Sequence, residues 1–312
     1  NYSNLFLSSP NFKVLTGGGS FYLDLKTTLS EENYSRIAKI ATLAGQDRER
    51  LKDFLQILSF SGELAVARVS CRWLSHTLTD IRGSIVFDNY RVGSKRISLR
   101  YQGWELTLGG GVESYLFQPA LGLTLSANIG LSTLPEIVKT DGLNSLLPLE
   151  GSMKLSVDIS GSLSDPKLKG WFLVPEAKIA GRPVEEFQGE FLYQNRIVRI
   201  MDLQGKIHTG ALVLSGSIDI GQPYLDLNFA LRNIELANLF PPNWADKAKG
   251  KGAISGNISG KPLEFQAKGK IDLKEVEFLG ASLGSVSGIL NYAKGELEID
   301  ANTSENNYSL NA

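Results

Sequence analysis

Residues Ile159–Val174 read ISGSLSDPKLKGWFLV, and Ile258–Leu273, 99 positions further on, read ISGKPLEFQAKGKIDL. Both are crowded with turn formers, yet apolar residues recur at every second position around them. The glycines return at the same offset: Gly161, Gly170, Gly181 and Gly189 are answered by Gly260, Gly269, Gly280 and Gly288. Ile159, Tyr193 and Ile200 return as Ile258, Tyr292 and Ile299 without a gap. A looser first copy starts near Gly62, with Gln102–Gly103 answering Gln204–Gly205. A unit of about one hundred residues therefore repeats, with five or six short strands in each copy. Its glycines are held because bends and bulges need their backbone freedom, while any apolar residue serves the greasy face. Repeats that stack strand by strand grow an elongated object.

The strands are read from period-two alternation. Leu121, Leu123 and Leu125 alternate with polar or small residues. Met153, Leu155, Val157 and Ile159 share one face of GSMKLSVDIS. Leu212, Leu214 and Ile218 do so in ALVLSGSIDI, and Leu225, Leu227 and Phe229 in YLDLNFAL. Leu263, Phe265, Ile271 and Leu273 line PLEFQAKGKIDL. Such segments have one apolar and one wet face, as in antiparallel sheets open to water on one side. The uncharged run from Ser114 to Pro135 is long enough to cross a bilayer, but its strict alternation marks a strand.

Three stretches break the pattern. SEENYSRIAKIATLAGQDRERLKDFLQIL, residues 30–58, reads as a helical pair, with Ser30 as N-cap and Gly45 ending the first helix. Its mixed-sign polar faces argue against a membrane-surface role and for packing over one end of the sheet. STLPEIVKTDGLNSLLP and IELANLFPPNWADKAKG stand before new copies of the repeat and read as short helices in crossing connections. The expected divisions are 1–61 (N-terminal strands and helical pair), 62–148 (first repeat), 149–248 (second) and 249–312 (third, truncated). With no starting Met and an end in mid-pattern, the chain reads as a piece of a longer one.

Charge is balanced, 32 Lys and Arg against 33 Asp and Glu, unlike the basic bias of a nucleic-acid binder. The lone Cys71 excludes an internal disulfide. Cys71 and His76, five positions apart, would face opposite sides of one straight strand and form no nucleophile–base pair. His208 reads as an ordinary strand residue, and Asp165–Pro166 as a turn with no further metal ligand near it. The glycine runs at Gly17 and Gly109 lack the Lys-Ser or Lys-Thr of a phosphate loop and read as sheet bends. KAKGKG around Lys249 reads as a solvated basic loop, and Trp73, Trp104, Trp171 and Trp244 as core or groove packing. No enzymatic activity, metal or cofactor is expected.

A sheet with one apolar face must cover it, by a second sheet, by closing into a barrel, or by curling into a trough that holds a ligand. A gapless repeat with short connections favours the trough. About sixteen strands at ~4.8 Å spacing give a length on the order of 75 Å, with strands of eight residues spanning about 26 Å. Each methylene kept from water is worth ~0.8 kcal/mol, so a two-chain lipid crossing water unaided faces a barrier above roughly 20 kcal/mol.

The run from Leu149 to Ile220, with its ISGSLSDPKLKG turn, spaced glycines and LQGKI, and the exit LRNIELANLFPP resemble the AsmA-like superfamily of Gram-negative envelope proteins, which includes AsmA, YhdP and TamB. The likeness covers roughly residues 60–312 and is nearest to AsmA and YhdP. It implies a mainly β fold: an elongated, twisted antiparallel sheet curled into an apolar groove, with short helices at the crossings. It implies a periplasmic protein anchored in the inner membrane by an N-terminal helix outside this chain. The implied function is a bridge carrying phospholipid between inner and outer membranes. The seventeen residues from Leu121 to Leu273 named above would line the groove. Expected partners are phospholipids or other acyl-chain lipids and, through parts outside this chain, both membrane surfaces; nucleic acid is not expected. The alternatives are a scaffold for outer-membrane proteins acting through an exposed strand edge, and a glycan-cleaving β-solenoid, which the scattered carboxylates disfavour.

Overall fold

Alternating apolar and polar residues leave a strand with one greasy side, and neighbours of the same kind pair to share it. The computed structural model describes residues 12–27, 58–73, 76–114, 118–133, 149–179, 182–239, 245–262 and 264–304. They form sixteen strands. The first six are β1 (Phe12–Thr27), β2 (Leu58–Trp73), β3 (His76–Asp88), β4 (Arg91–Tyr101), β5 (Trp104–Glu113) and β6 (Ala120–Gly130). The next six are β7 (Leu149–Ser162), β8 (Pro166–Ile179), β9 (Arg182–Gln194), β10 (Ile197–Ile207), β11 (Gly210–Asp219) and β12 (Tyr224–Glu235). The last four are β13 (Ala248–Lys261), β14 (Glu264–Phe278), β15 (Ala281–Ala293) and β16 (Glu296–Thr303). All belong to one antiparallel sheet, in which the spatial order is the chain order and the ends do not close. Single 3-10 turns at Leu131–Thr133 and Leu236–Leu239 follow β6 and β12.

The repeat is legible in the strand bounds. β7 and β13 begin at Leu149 and Ala248 and end at Ser162 and Lys261, a shift of 99 at both ends, and β9 and β15 keep that shift. Between the first and second copies the shift is 106: β3, β4 and β5 map onto β9, β10 and β11 at both ends. A copy is thus six strands. Gln102–Gly103, expected to answer Gln204–Gly205, instead form the turn joining β4 to β5, whereas Gln204–Gly205 lie inside β10. Gln102 (φ 49°) matches His208 (φ 52°), which starts the turn after β10. Turn geometry, not residue identity, is what recurs.

Several expectations are corrected. Strands run to 16 residues, and only β16 has eight. They pass straight through Gly161, Gly170 and Gly216, which sequence alone makes look like breaks. The segment after β12 does not carry the chain across the sheet, because β12 pairs directly with β13 (Leu225 opposite Gly260, Glu235 opposite Lys251). KAKGKG is not a loop but the start of β13, with Lys249 paired to Glu277 at 3.0 Å and Lys251 to Glu235 at 3.4 Å. The helical pair lies outside the described residues, except that its last residue, Leu58, begins β2.

Two compact units are distinguished: 1–128 with 156–166, and 129–155 with 167–312. The second holds two buried clusters. Leu131, Val174, Ala177 and Val184 form one, with Leu149, Met153 and Phe187 against it. Leu236, Ala248, Ile271, Leu273, Val276, Val286 and Ala301 form the other. Shifting by 99 turns Val174 into Leu273, Ala177 into Val276 and Phe187 into Val286, so one cluster is built twice. Each is completed by the leucine of a 3-10 turn, Leu131 or Leu236, both 9% exposed.

Candidate functional site: an apolar sheet face

Directly opposed residues on antiparallel strands point to the same side, so the register shows what each face carries. In the second unit one row runs Gly170–Phe191–Ile200–Gly216–Leu227–Ile258–Ala267–Tyr292. The next runs Phe172–Gly189–Leu203–Leu214–Phe229–Gly256–Gly269–Leu290–Ile299. Both are apolar or glycine throughout. In the first unit the rows Leu23–Gly62–Phe87–Val92–Val112–Leu121 and Gly19–Val66–Gly83–Ile97–Leu108–Leu125 have the same character.

The opposite face is wet. Asn257 donates from Nδ2 to Asp226 at 2.8 Å, and Thr124 donates from Oγ1 to Asp158 at 2.9 Å. Lys206 bonds Glu186 at 2.7 Å, and that hydrogen bond, with the carboxylate charge, pushes the ammonium pKa up. Being fully exposed, the pair adds little to stability.

Of the anticipated face residues, Leu212, Leu214, Ile218, Leu225, Leu227, Phe229, Phe265, Ile271 and Leu273 share the apolar face of the second unit. Met153 packs against its Leu131 cluster, and Leu155 follows two positions on, half-buried. Leu121, Leu123 and Leu125 lie on the apolar face of the first unit, where Val157 and Ile159 also belong. Leu263 lies outside the described residues. Burial separates two kinds of position. Val157 (4% exposed), Ile271 and Leu273 (7% each) are enclosed, while the other described members of the set are partly open to solvent.

Compared with family models, curated proteins and solved structures, the chain has no match.

Many face residues escape a period-two reading. Bulges shift the apolar set between Ile200 and Leu203, Leu231 and Ile234, and Leu273 and Val276. Asn233 and Glu275, each at φ 54°, make the last two. Strict alternation therefore loses Leu203, Ile234 and Val276. β8 was opaque because WFLV is apolar on both sides. Trp171 is the result: expected in packing, it stands 48% exposed on the wet face, opposite Glu190. Trp104 is half-buried on the apolar face; the Trp73 side chain and Trp244 lie outside the description.

Glycines on the apolar face mark close approach of backbones. A Cβ on Gly256 would meet the Lys268 carbonyl oxygen and the Gly269 Cα. At Gly216 (φ 139°) it would meet the Asp226 oxygen and Leu227 Cα.

Cys71 and His76, expected on opposite sides of one straight strand, do not share a strand: β2 ends at Trp73, β3 begins at His76, and Cys71 opposes Leu78. The reversal puts both on the apolar side. Cys71 is 2% exposed and burial pushes its thiol pKa up, opposite to what an activated nucleophile needs. Among the described residues no group of three or more His, Cys, Asp or Glu converges, and no helix is long and apolar enough to cross a membrane.

Proposed function

We propose that this chain is a length of lipid-conducting sheet. Its apolar face curls into a groove that shelters acyl chains while phospholipid passes between the inner and outer membranes of a Gram-negative envelope. The observation that carries this reading is the unbroken apolar rows within each unit of one open antiparallel sheet. Each strand pairs with its neighbours in chain order, and the 3-10 turn leucines Leu131 and Leu236 join the two buried clusters of the second unit. A face of this size normally requires a cover, and an acyl chain is a cover that needs only apolar contact. Backbones that close in on the apolar side at Gly216 and Gly256 are what curvature toward that side requires. The enclosed residues Ile271, Leu273 and Val276 fit a trough closed along one rim and open along the other. The AsmA-like sequence features agree with a periplasmic setting and an anchor elsewhere.

The test is to purify the chain without detergent, extract it with organic solvent and weigh what is released. Phospholipid in near-stoichiometric amount supports the reading. A lipid-free protein that also fails to take up phospholipid from vesicles sinks it.

A further inference from the structure

The wet face of β8, β9 and β10 carries one arrangement that the apolar face leaves unused. Directly opposed residues make two neighbouring rows there, Trp171–Glu190–Asp202 and Leu173–Gln188–Gln204. Trp171 is 48% exposed, and Gln188, Glu190, Asp202 and Gln204 are exposed around it. Gln204 donates from Nε2 to the Asp202 carboxylate at 2.7 Å, which ties the two side chains together and leaves an oxygen of each to accept. Among the described residues nothing pairs with the Glu190 carboxylate, the Gln188 amide or the Trp171 indole.

The repeat itself does not require this arrangement. Shifting by 99 turns Trp171 into Lys270, Gln188 into Ser287 and Glu190 into Ile289, and Lys270 opposes Ile289 in the same way. Two features set the second copy apart. An indole, whose large apolar area gains nothing from water, is exposed among polar groups. Glu190 and Asp202 are directly opposed, an arrangement of like charges that costs stability unless donors lie between them. Two carboxylates are too few to hold a metal, and among the described residues no larger group of His, Cys, Asp or Glu converges. Lys169 and Arg199, in the adjoining row through Leu192, bring the patch to no net charge, so it selects neither a polyanion nor an anionic lipid surface.

What fits is a ligand with a flat C–H surface ringed by hydroxyls. A sugar ring with equatorial hydroxyls has both. Its axial C–H bonds can lie on the indole, while its hydroxyls donate to carboxylates and accept from the Gln188 amide. Trp171 and Asp202 stand two strand spacings apart, roughly 9.6 Å, room for two linked rings.

We infer that Trp171, Gln188, Glu190, Asp202 and Gln204 bind a neutral, gluco-configured oligosaccharide, one ring on the indole and the next over the Glu190–Asp202 pair. The site lies on the face opposite the apolar rows and does not depend on what those rows carry.

Isothermal titration calorimetry of the whole chain with cellohexaose and with chitohexaose tests this. The parent should bind at least one of them with a submillimolar Kd. Trp171→Lys, which installs the residue found in the next copy, should weaken binding at least ~10-fold, as should Gln188→Ala with Glu190→Ala, and Trp171→Phe should fall between. Unfolding midpoints should match that of the parent, so that lost binding is not lost fold. Binding of neither sugar by the parent, or an affinity in Trp171→Lys within about twofold of the parent, overturns the inference. Self-association of the parent that Trp171→Lys abolishes, with no sugar bound, also overturns it and assigns the patch to a second copy of the chain.

Discussion

Replacing Leu227 by Asp separates a face that holds lipid from a face that holds the protein together. Leu227 is partly exposed and lies opposite Gly216 on one side and Ile258 on the other, so half its neighbourhood is bare backbone. Full burial of a leucine is worth roughly 2–3 kcal/mol. A half-open site gives back about 1 kcal/mol when it is lost, and the new carboxylate stays in contact with water. Ile271→Asp is the control on the same sheet. Ile271 is 7% exposed between Ile254 and Gly288, and a carboxylate there is desolvated at a cost of roughly 3–5 kcal/mol. For a bound acyl chain the order reverses. A charge at Leu227 strips apolar contact from about four methylenes at ~0.8 kcal/mol each, near 3 kcal/mol or a ~200-fold loss in affinity. The assays are urea unfolding followed by circular dichroism, and titration with a pyrene-acyl phospholipid. The reasoning is refuted if Leu227→Asp destabilises the fold as much as Ile271→Asp, or if it leaves lipid affinity within threefold of the parent.

Arg196 takes φ 64° in the turn after β9, where the next copy has Gly295 at φ 84°. Arg196→Gly should therefore raise unfolding free energy by about 0.5 kcal/mol, the relief of left-handed strain less the added chain entropy. Gly256→Ala should cost about 2 kcal/mol or more, because its methyl would meet the Lys268 carbonyl and strands must part to admit it. Cys71, buried and with its thiolate disfavoured, should react with iodoacetamide at pH 8 at least ~100-fold slower in the native protein than in urea. Because its folded pKa is raised, its contribution to stability is complete below the unfolded thiol's pKa and is lost as pH climbs through the folded value. Cys71→Ala should flatten that alkaline fall in the unfolding midpoint.

Strand character was legible wherever alternation was clean. Leu121–Leu125, Met153–Ile159 and Leu225–Phe229 spell out their own faces, because side-chain direction in a strand is a local property of the backbone. The 99-residue recurrence was legible in the glycines, Gly161 to Gly189 returning as Gly260 to Gly288. Bulges were not. Glu275 and Asn233 are charged or polar residues in a left-handed conformation, and no residue type announces that inside a strand. Alternation alone therefore misses Val276 and Ile234. Nor do local patterns state which strand a connection leads to, and the segment after β12 was therefore read as a crossing when it joins neighbours. Trp171 shows the limit from the other side: size and apolarity suggested packing, while its odd position beside Gly170 placed it in water. The hydrogen bond between Tyr101 and His76 was beyond reach, since 25 residues separate them and only the β3–β4 pairing unites them.

The most direct measurement uses two adjacent positions of β11 that point to opposite faces. A photoreactive benzoylphenylalanine is placed at Leu214, which opposes Leu203 and Phe229, and separately at Val213, which opposes Gln204 and Ala230. Irradiated with radiolabelled phospholipid, the chain should become labelled through position 214 and not through 213. Equal labelling at the two positions, or none at 214 while the sheet remains folded, would contradict an apolar face that carries lipid.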